Sequence, residues 1–122
     1  LRRILAVNVE GQANVIRHFV PAMIDAGLDG LHALQPCCPT MDPARLKAEF
    51  GNKILFNGAI DSHHVLIRGN PALVRDATRH ILQIMKPGGG YVFNNVHNIQ
   101  ARVPPENIVA MYEAAWEYGF YG

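Results

Sequence analysis

The 122-residue sequence has little of what marks membrane, nucleic-acid-binding or secreted proteins. No apolar run approaches the roughly 20 residues that span a bilayer. The formal net charge is only +1, which gives no electrostatic case for nucleic acid, and no basic run exists to follow phosphates. No secretory signal is visible ahead of the first apolar run. The only cysteines, Cys37 and Cys38, are adjacent, which disfavours a structural disulfide. We therefore expect a cytoplasmic protein without nucleic-acid or membrane partners.

The remaining composition is that of a packed domain. Hydrophobic residues make up 49% of the chain and charged residues 17%, a balance that excludes extended disorder. A chain of this length forms one domain or part of one. Because the first residue is Leu1 and not methionine, we expect residues 1–122 to be a piece of a longer protein or a processed product.

Strand and helix signals alternate four times along the chain, in units of about thirty residues. Short apolar runs, typical of strands buried on both faces, occupy residues 3–7, 28–34, 53–61 and 91–94. Apolar residues at helical spacing follow each run, at residues 14–24, 44–50, 71–85 and 106–118. In the last of these helices the residues predicted to face inward are Ile108, Met111, Tyr112 and Ala115. Asp42-Pro43 and Asn70-Pro71 each read as a cap followed by proline in the first turn. Right-handed crossovers make the strands parallel, so the pattern predicts an α/β fold of four βα units.

Four such units can close in two ways. They form either a small doubly wound sheet or half of an eight-stranded (β/α)8 barrel, whose full length is about 250 residues. An isolated half barrel has unpaired strand edges and an exposed apolar face. It would pair with a second copy, as a homodimer, or with the missing half, or it would aggregate.

Each predicted strand ends in side chains capable of polar chemistry: Asn8 and Glu10, then Gln35, then Asp61, then His97. The ends of parallel strands meet at one face, so we expect a pocket there, although solvated loops also have such residues. Asp61 and Glu10 are the predicted catalytic residues. His97, Gln35 and Asn8 are the predicted substrate-binding residues, since an imidazole can move a proton or bind a carboxylate near neutral pH.

Other chemistry-bearing groups receive plainer interpretations. Cys37 and Cys38 could serve as nucleophile or metal ligands, but without a second cysteine pair no metal site is predicted. His63-His64 reads as a solvated loop pair. Gly88–Gly90 follows a helix and precedes a strand, the reverse of a phosphate-binding loop, so it is predicted to be a turn at the opposite face.

Several segments together resemble the uroporphyrinogen decarboxylase superfamily. They are Leu34–Pro36, Met41–Lys47, Phe56–Asp61, Gly88–Tyr91, Val96–Gln100 and Val103–Ile108. The resemblance implies that residues 1–122 are the C-terminal half of a TIM (β/α)8 barrel. It also implies a carboxy-lyase acting on porphyrinogen acetate side chains in haem biosynthesis, with a tetrapyrrole-like substrate and no cofactor. His97 matches the histidine that helps to hold this substrate, whereas Asp61 does not match the catalytic aspartate of the family.

The same superfamily includes corrinoid-dependent methyltransferases, which implies an alternative with zinc and a corrinoid partner. Their metal site uses a His-x-Cys motif after the fifth strand, where this chain has Asn8-Val9-Glu10. The departure disfavours zinc thiolate chemistry at that position. A third hypothesis is a non-catalytic fragment that pairs with itself or with its missing half.

Overall fold

The computed structural model describes residues 19–38 and 41–121. Within these ranges, three parallel strands form one sheet in the order β1-β2-β3. The strands are β1 (Gly30–Leu34), β2 (Leu55–Ile60) and β3 (Tyr91–Asn95). The helices are α1 (Pro43–Phe50), α2 (Pro71–Met85) and α3 (Pro105–Tyr118), with residues 19–25 also helical. The predicted α/β class with a parallel sheet is confirmed. The predicted first strand, with Asn8 and Glu10, lies outside the described residues.

Local sequence signals set where two of the helices begin. Asp42 caps α1, where its carboxylate accepts a hydrogen bond from the backbone N–H of Arg45 at 2.7 Å. Asn70 caps α2 in the same way, accepting from the N–H of Leu73 at 2.9 Å. A proline stands in the first turn of each helix, where its missing N–H would have had no partner. Both predicted starts are confirmed.

One face of the sheet carries the core. Phe56 and Ile60 of β2 are buried and belong to one apolar cluster with residues of all three α-helices. Leu55 and Val92, which point to the opposite face by strand alternation, are 39% and 44% exposed. Right-handed crossovers place the helices on one side, so among the described residues the other side of the sheet has no helical cover.

The face that α3 turns inward differs by about one residue from the prediction. Tyr112, predicted inward, is 55% exposed, while Asn107 is buried together with Ala110 and Ala114. The side-chain amide of Asn107 donates to the carbonyl oxygens of Leu66 and Gly69, each at 2.9 Å. These bonds fix the rotation of the helix at its first turn.

Between β2 and α2 the chain forms a feature that the sequence did not predict. Ser62–Ile67 is a π-helical turn rather than an irregular loop. Gly88–Gly90, in contrast, forms the predicted turn, with φ values of 76°, 74° and 67° that suit glycine. Within the part of the chain that the structure describes, no helix is long and apolar enough to cross a membrane.

Candidate functional site

The parallel register places the carboxyl ends of the three strands at one edge of the sheet. Ile60 of β2 is paired with Asn95 of β3, and Leu34 of β1 with Gly58 of β2. The loops that carry Gln35, Asp61 and His97 therefore begin at the same edge. These three of the predicted site residues share the edge, whereas Asn8 and Glu10 lie outside the described residues.

Asp61 builds the start of the π-helical turn. One carboxylate oxygen, Oδ1, accepts the backbone N–H groups of His63 at 2.7 Å and His64 at 3.0 Å. The second oxygen, Oδ2, lies 2.9 Å from Nδ1 of His64. The backbone carbonyl of Asp61 accepts from the N–H of Leu66 at 3.1 Å. The sequence thus folds locally around this carboxylate, in the way that an aspartate caps any helix.

The same contacts determine the charge of Asp61. Burial, with the residue only 7% exposed, opposes ionisation, but the hydrogen bonds from His64 and His63 outweigh it and lower the pKa of the carboxyl. The carboxylate is therefore ionised at neutral pH and can only accept hydrogen bonds or bind a cation. Its predicted role as a catalytic residue stays a prediction.

His64 is a candidate that sequence reasoning treated as part of a solvated pair. Its side chain is 62% exposed, yet its Nδ1 atom is held by Asp61 Oδ2. A carboxylate on one ring nitrogen orients an imidazole. The three-residue spacing from Asp61 to His64 was the available signal, but it becomes informative only when the segment is helical.

Cys37 joins this pair from the loop after β1. Its Sγ atom, a carboxylate oxygen of Asp61 and a ring nitrogen of His64 all lie within 4.8 Å of one another. The Cys37 side chain is exposed, and Nε2 of Gln35 lies 2.7 Å from its sulfur. Gln35, predicted to bind substrate, therefore contacts Cys37. This donor set could hold a metal ion.

A cavity of about 230 Å³ lies beside this cluster, between the carboxyl end of β2 and α2. Its wall is mostly apolar and also includes Cys37, Asp61 and His80. Because α2 packs on the helix-covered side, the cavity is on that side of the sheet. Pockets for drug-sized ligands hold roughly 300–1,000 Å³, so this cavity suits a group smaller than a tetrapyrrole.

His97 follows β3 and is exposed. The backbone around it is fixed, because the N–H of Val96 donates to the carbonyl of Ile60 at 3.0 Å and the Asn95 amide donates to the carbonyl of His97. Within residues 19–38 and 41–121, no hydrogen bond joins its ring to Asp61 or to any other group. The ring is thus presented on a fixed loop, and its predicted substrate-binding role stays a prediction.

The uncovered face of the sheet carries a polar pair that sequence reasoning missed. Nδ1 of His32 lies 3.2 Å from the side-chain oxygen of Asn57. By alternation from Leu31 and Phe56, both side chains lie on the face opposite the core. They add hydrogen-bonding groups to a face that otherwise exposes Leu55 and Val92.

Comparison with known proteins identifies the family. The profile of the family Uroporphyrinogen decarboxylase (URO-D) matches residues 7–118. The uroporphyrinogen decarboxylase of Methylococcus capsulatus is 31% identical over 100 residues, which cover 82% of this chain and 27% of that protein. That of Actinobacillus succinogenes is 37% identical over 79 residues, covering 65% of this chain and 22% of the relative. That of Legionella pneumophila strain Lens is 32% identical over 95 residues, covering 78% and 25%.

The chain thus spans about a quarter of the length of the curated relatives that it matches. The resemblance found in the sequence motifs is confirmed, because the family match extends over nearly the whole chain. The chain belongs to the uroporphyrinogen decarboxylase family.

Proposed function

We propose that the protein containing this chain is a carboxy-lyase that decarboxylates the acetate side chains of uroporphyrinogen in haem biosynthesis. The observation that carries the proposal is the family match over residues 7–118, joined to the placement of His97 at the carboxyl edge of the sheet. Relatives that match this chain are named uroporphyrinogen decarboxylases. Lyase activity, tetrapyrrole-like substrate and cytoplasmic location all belong to this proposal.

The proposal includes the architecture. Residues 1–122 form the C-terminal half of a TIM (β/α)8 barrel, with a fourth βα unit at their N-terminal end. The uncovered face of the sheet supports it, because the inner face of such a barrel is covered only when all eight strands close. Leu55, Val92, His32 and Asn57 lie on that face and would line the interior. The site is completed by the rest of the barrel, or by a second copy in a homodimer.

In this decarboxylation the proposed role of His97 is to hold a carboxylate of the substrate. In decarboxylation the bond between the side-chain carbon and its carboxylate breaks, carbon dioxide leaves, and a proton is added to that carbon. The remaining carboxylates of the substrate must be held by positive or hydrogen-bond-donating groups. An imidazole N–H on a fixed backbone can donate such a hydrogen bond, and the exposed His97 ring meets that requirement. The acid that supplies the proton would come from outside the described residues.

The direct test is turnover of uroporphyrinogen by the longer protein that includes this sequence. Reduced substrate is supplied without oxygen, and coproporphyrinogen is quantified after oxidation by chromatography with fluorescence detection. We expect coproporphyrinogen to form without added metal or cofactor. A well-folded protein that produces no coproporphyrinogen overturns the proposal.

A corrinoid-dependent methyltransferase is the second candidate, favoured by one observation. Cys37, Asp61 and His64 offer the sulfur, oxygen and nitrogen donors that zinc uses in proteins. Transfer of a methyl group from methylcobalamin to a thiol, followed by the change in corrinoid absorption, tests this activity. Methyl transfer without porphyrinogen turnover favours the methyltransferase, and the reverse result favours the lyase.

A further inference from the structure

We propose that Cys37, Asp61 and His64 bind one Zn²⁺ ion, with the fourth coordination position open to a water molecule or a small ligand. The thiol, carboxylate and imidazole donor atoms already lie within 4.8 Å of one another. The site uses none of the residues at positions 8–10, where the resemblance would place the zinc site of the methyltransferase branch. It stands on its own geometry and is independent of the proposed lyase activity.

The donors come from two loops that the sheet holds side by side. Cys37 follows β1, and Asp61 with His64 follows β2, the strand hydrogen-bonded to β1. The backbone N–H groups of His63 and His64 occupy Oδ1 of Asp61, which fixes the carboxylate and leaves Oδ2 facing His64. An ion placed between Oδ2, the imidazole and the thiolate would replace one hydrogen bond by three coordinate bonds.

The distances fit a tetrahedral ion after small rotations. Zinc bonds of about 2.0–2.3 Å imply ligand atoms about 3.3–3.8 Å apart in a tetrahedron. Oδ2 and Nδ1 at 2.9 Å would move slightly apart, and the sulfur would move closer. Cys37 is exposed and the His64 side chain is 62% exposed, so neither movement disturbs the core.

The mixture of donors selects the kind of metal. Mg²⁺ and Ca²⁺ take oxygen ligands and avoid thiolates, whereas Zn²⁺ accepts sulfur, nitrogen and oxygen together. Binding displaces the thiol proton and, where the imidazole is charged, its extra proton, and both pass to solvent. Nε2 of Gln35, 2.7 Å from the sulfur, would act as the outer hydrogen-bond donor to the thiolate.

Three protein ligands with one open position are typical of zinc that binds a substrate or water, rather than of closed structural sites. The neighbouring cavity of about 230 Å³, which Cys37 and Asp61 help to line, provides room for a small group on the ion. The chemical class that fits is a small molecule with a thiol or an anionic oxygen donor and an apolar body.

The chain offers matched controls for the test, because each exposed ligand has a neighbour of the same kind. The test variants are Cys37→Ser and His64→Gln, and the controls are Cys38→Ser and His63→Gln. Asp61 is left unchanged because it also caps the π-helical turn. Protein without an affinity tag and carrying this whole sequence is freed of metal with a chelator, and far-ultraviolet circular dichroism verifies that each variant folds.

Zinc is then titrated by calorimetry, and Co²⁺ is used as a spectroscopic probe of thiolate ligation. We expect one ion per chain and a thiolate-to-cobalt charge-transfer band. Cys37→Ser should abolish the band, and both test variants should weaken Zn²⁺ binding at least about tenfold, as lost ligands do. The control variants should remain within about twofold of the parent.

Absence of stoichiometric Zn²⁺ binding in the parent protein overturns the proposal. Equal weakening in the control variants, or a charge-transfer band that survives Cys37→Ser, also overturns it. Porphyrinogen turnover is measured on the same preparations, so failure of the zinc site and failure of the lyase proposal give separate results.

Discussion

The loops after β2 and β3 begin at the same edge of the sheet but use their polar side chains differently. Asp61 is only 7% exposed, and both of its carboxylate oxygens contact polar groups within its own loop. The exposed ring of His97 has no hydrogen bond among the described residues, although its backbone is fixed. A polar residue at a strand end can therefore build its loop or be presented to a ligand. Burial and hydrogen bonding distinguish the two cases.

The largest expected effect is on stability, at Asp61. Asp61→Ala removes the cap of the π-helical turn and leaves the N–H groups of His63 and His64 without their acceptor. We expect a loss of about 2–3 kcal/mol in the free energy of unfolding, measured by urea denaturation of chelator-treated protein. Asp42→Ala is the control, since it removes an exposed cap worth about 1 kcal/mol. Equal losses for the two variants would contradict the structural role given to Asp61.

Asn107 binds the C-terminal end of the π-helical turn that Asp61 caps at its start. Its buried amide donates to the carbonyl groups of Leu66 and Gly69, so Asn107→Ala leaves two acceptors unpaired. We expect a loss of about 2 kcal/mol in the free energy of unfolding, because buried polar groups without partners are costly. Glu106→Ala, at the exposed neighbouring position, should change stability by less than about 0.5 kcal/mol. An Asn107 variant as stable as the Glu106 variant would refute the role assigned to these bonds.

Tyr91 of β3 forms a side-chain hydrogen bond to β2, the strand that precedes the loop of Asp61. Its partly buried hydroxyl donates to the carbonyl of Gly58 at 2.6 Å, and burial raises the pKa of the phenol. Tyr91→Phe should cost about 1 kcal/mol near neutral pH. Because the folded pKa lies above the unfolded value of about 10, the parent loses stability as pH rises past that value. The variant lacks this contribution, so its unfolding free energy should fall less steeply above about pH 10 than that of the parent. If the unfolding free energies of the parent and the variant fell in parallel above about pH 10, the raised pKa of Tyr91 would be ruled out.

The smallest effect on stability is expected at His97, which makes it the comparison for Asp61. His97→Ala removes an exposed ring with no hydrogen bond in the described part of the chain. We expect the free energy of unfolding to change by less than about 0.5 kcal/mol in the same urea experiment. A loss comparable to that of Asp61→Ala would mean that His97 also builds its loop, and the distinction between the two loops would fail.

Sequence patterns predicted the elements better than the contacts between them. The caps Asp42 and Asn70 act within four residues, so the starts of α1 and α2 could be predicted from local chemistry. The π-helical turn could not, because it depends on one buried carboxylate accepting two N–H groups. The inward face of α3 was displaced by Asn107, whose acceptors lie about forty residues earlier in the chain.

In the candidate site, too, the positions of residues could be predicted better than the contacts between them. Position at a strand end was enough to select Gln35, Asp61 and His97, since parallel strands share an edge. The meeting of Cys37 with Asp61 and His64 depends on the register of β1 against β2. That register shifts between Leu31 and Leu34, which no local pattern in the sequence indicates. The pairing of His32 with Asn57 was missed for the same reason.

We propose that His97 is presented to substrate while Asp61 builds the adjoining loop. The most direct test is kcat/KM for uroporphyrinogen of the longer protein with His97→Gln, compared with the parent. We expect a decrease of at least about tenfold, since loss of a hydrogen bond to a charged carboxylate costs about 1.5–3 kcal/mol. An unchanged kcat/KM in a variant as stable as the parent would show that His97 does not hold the substrate.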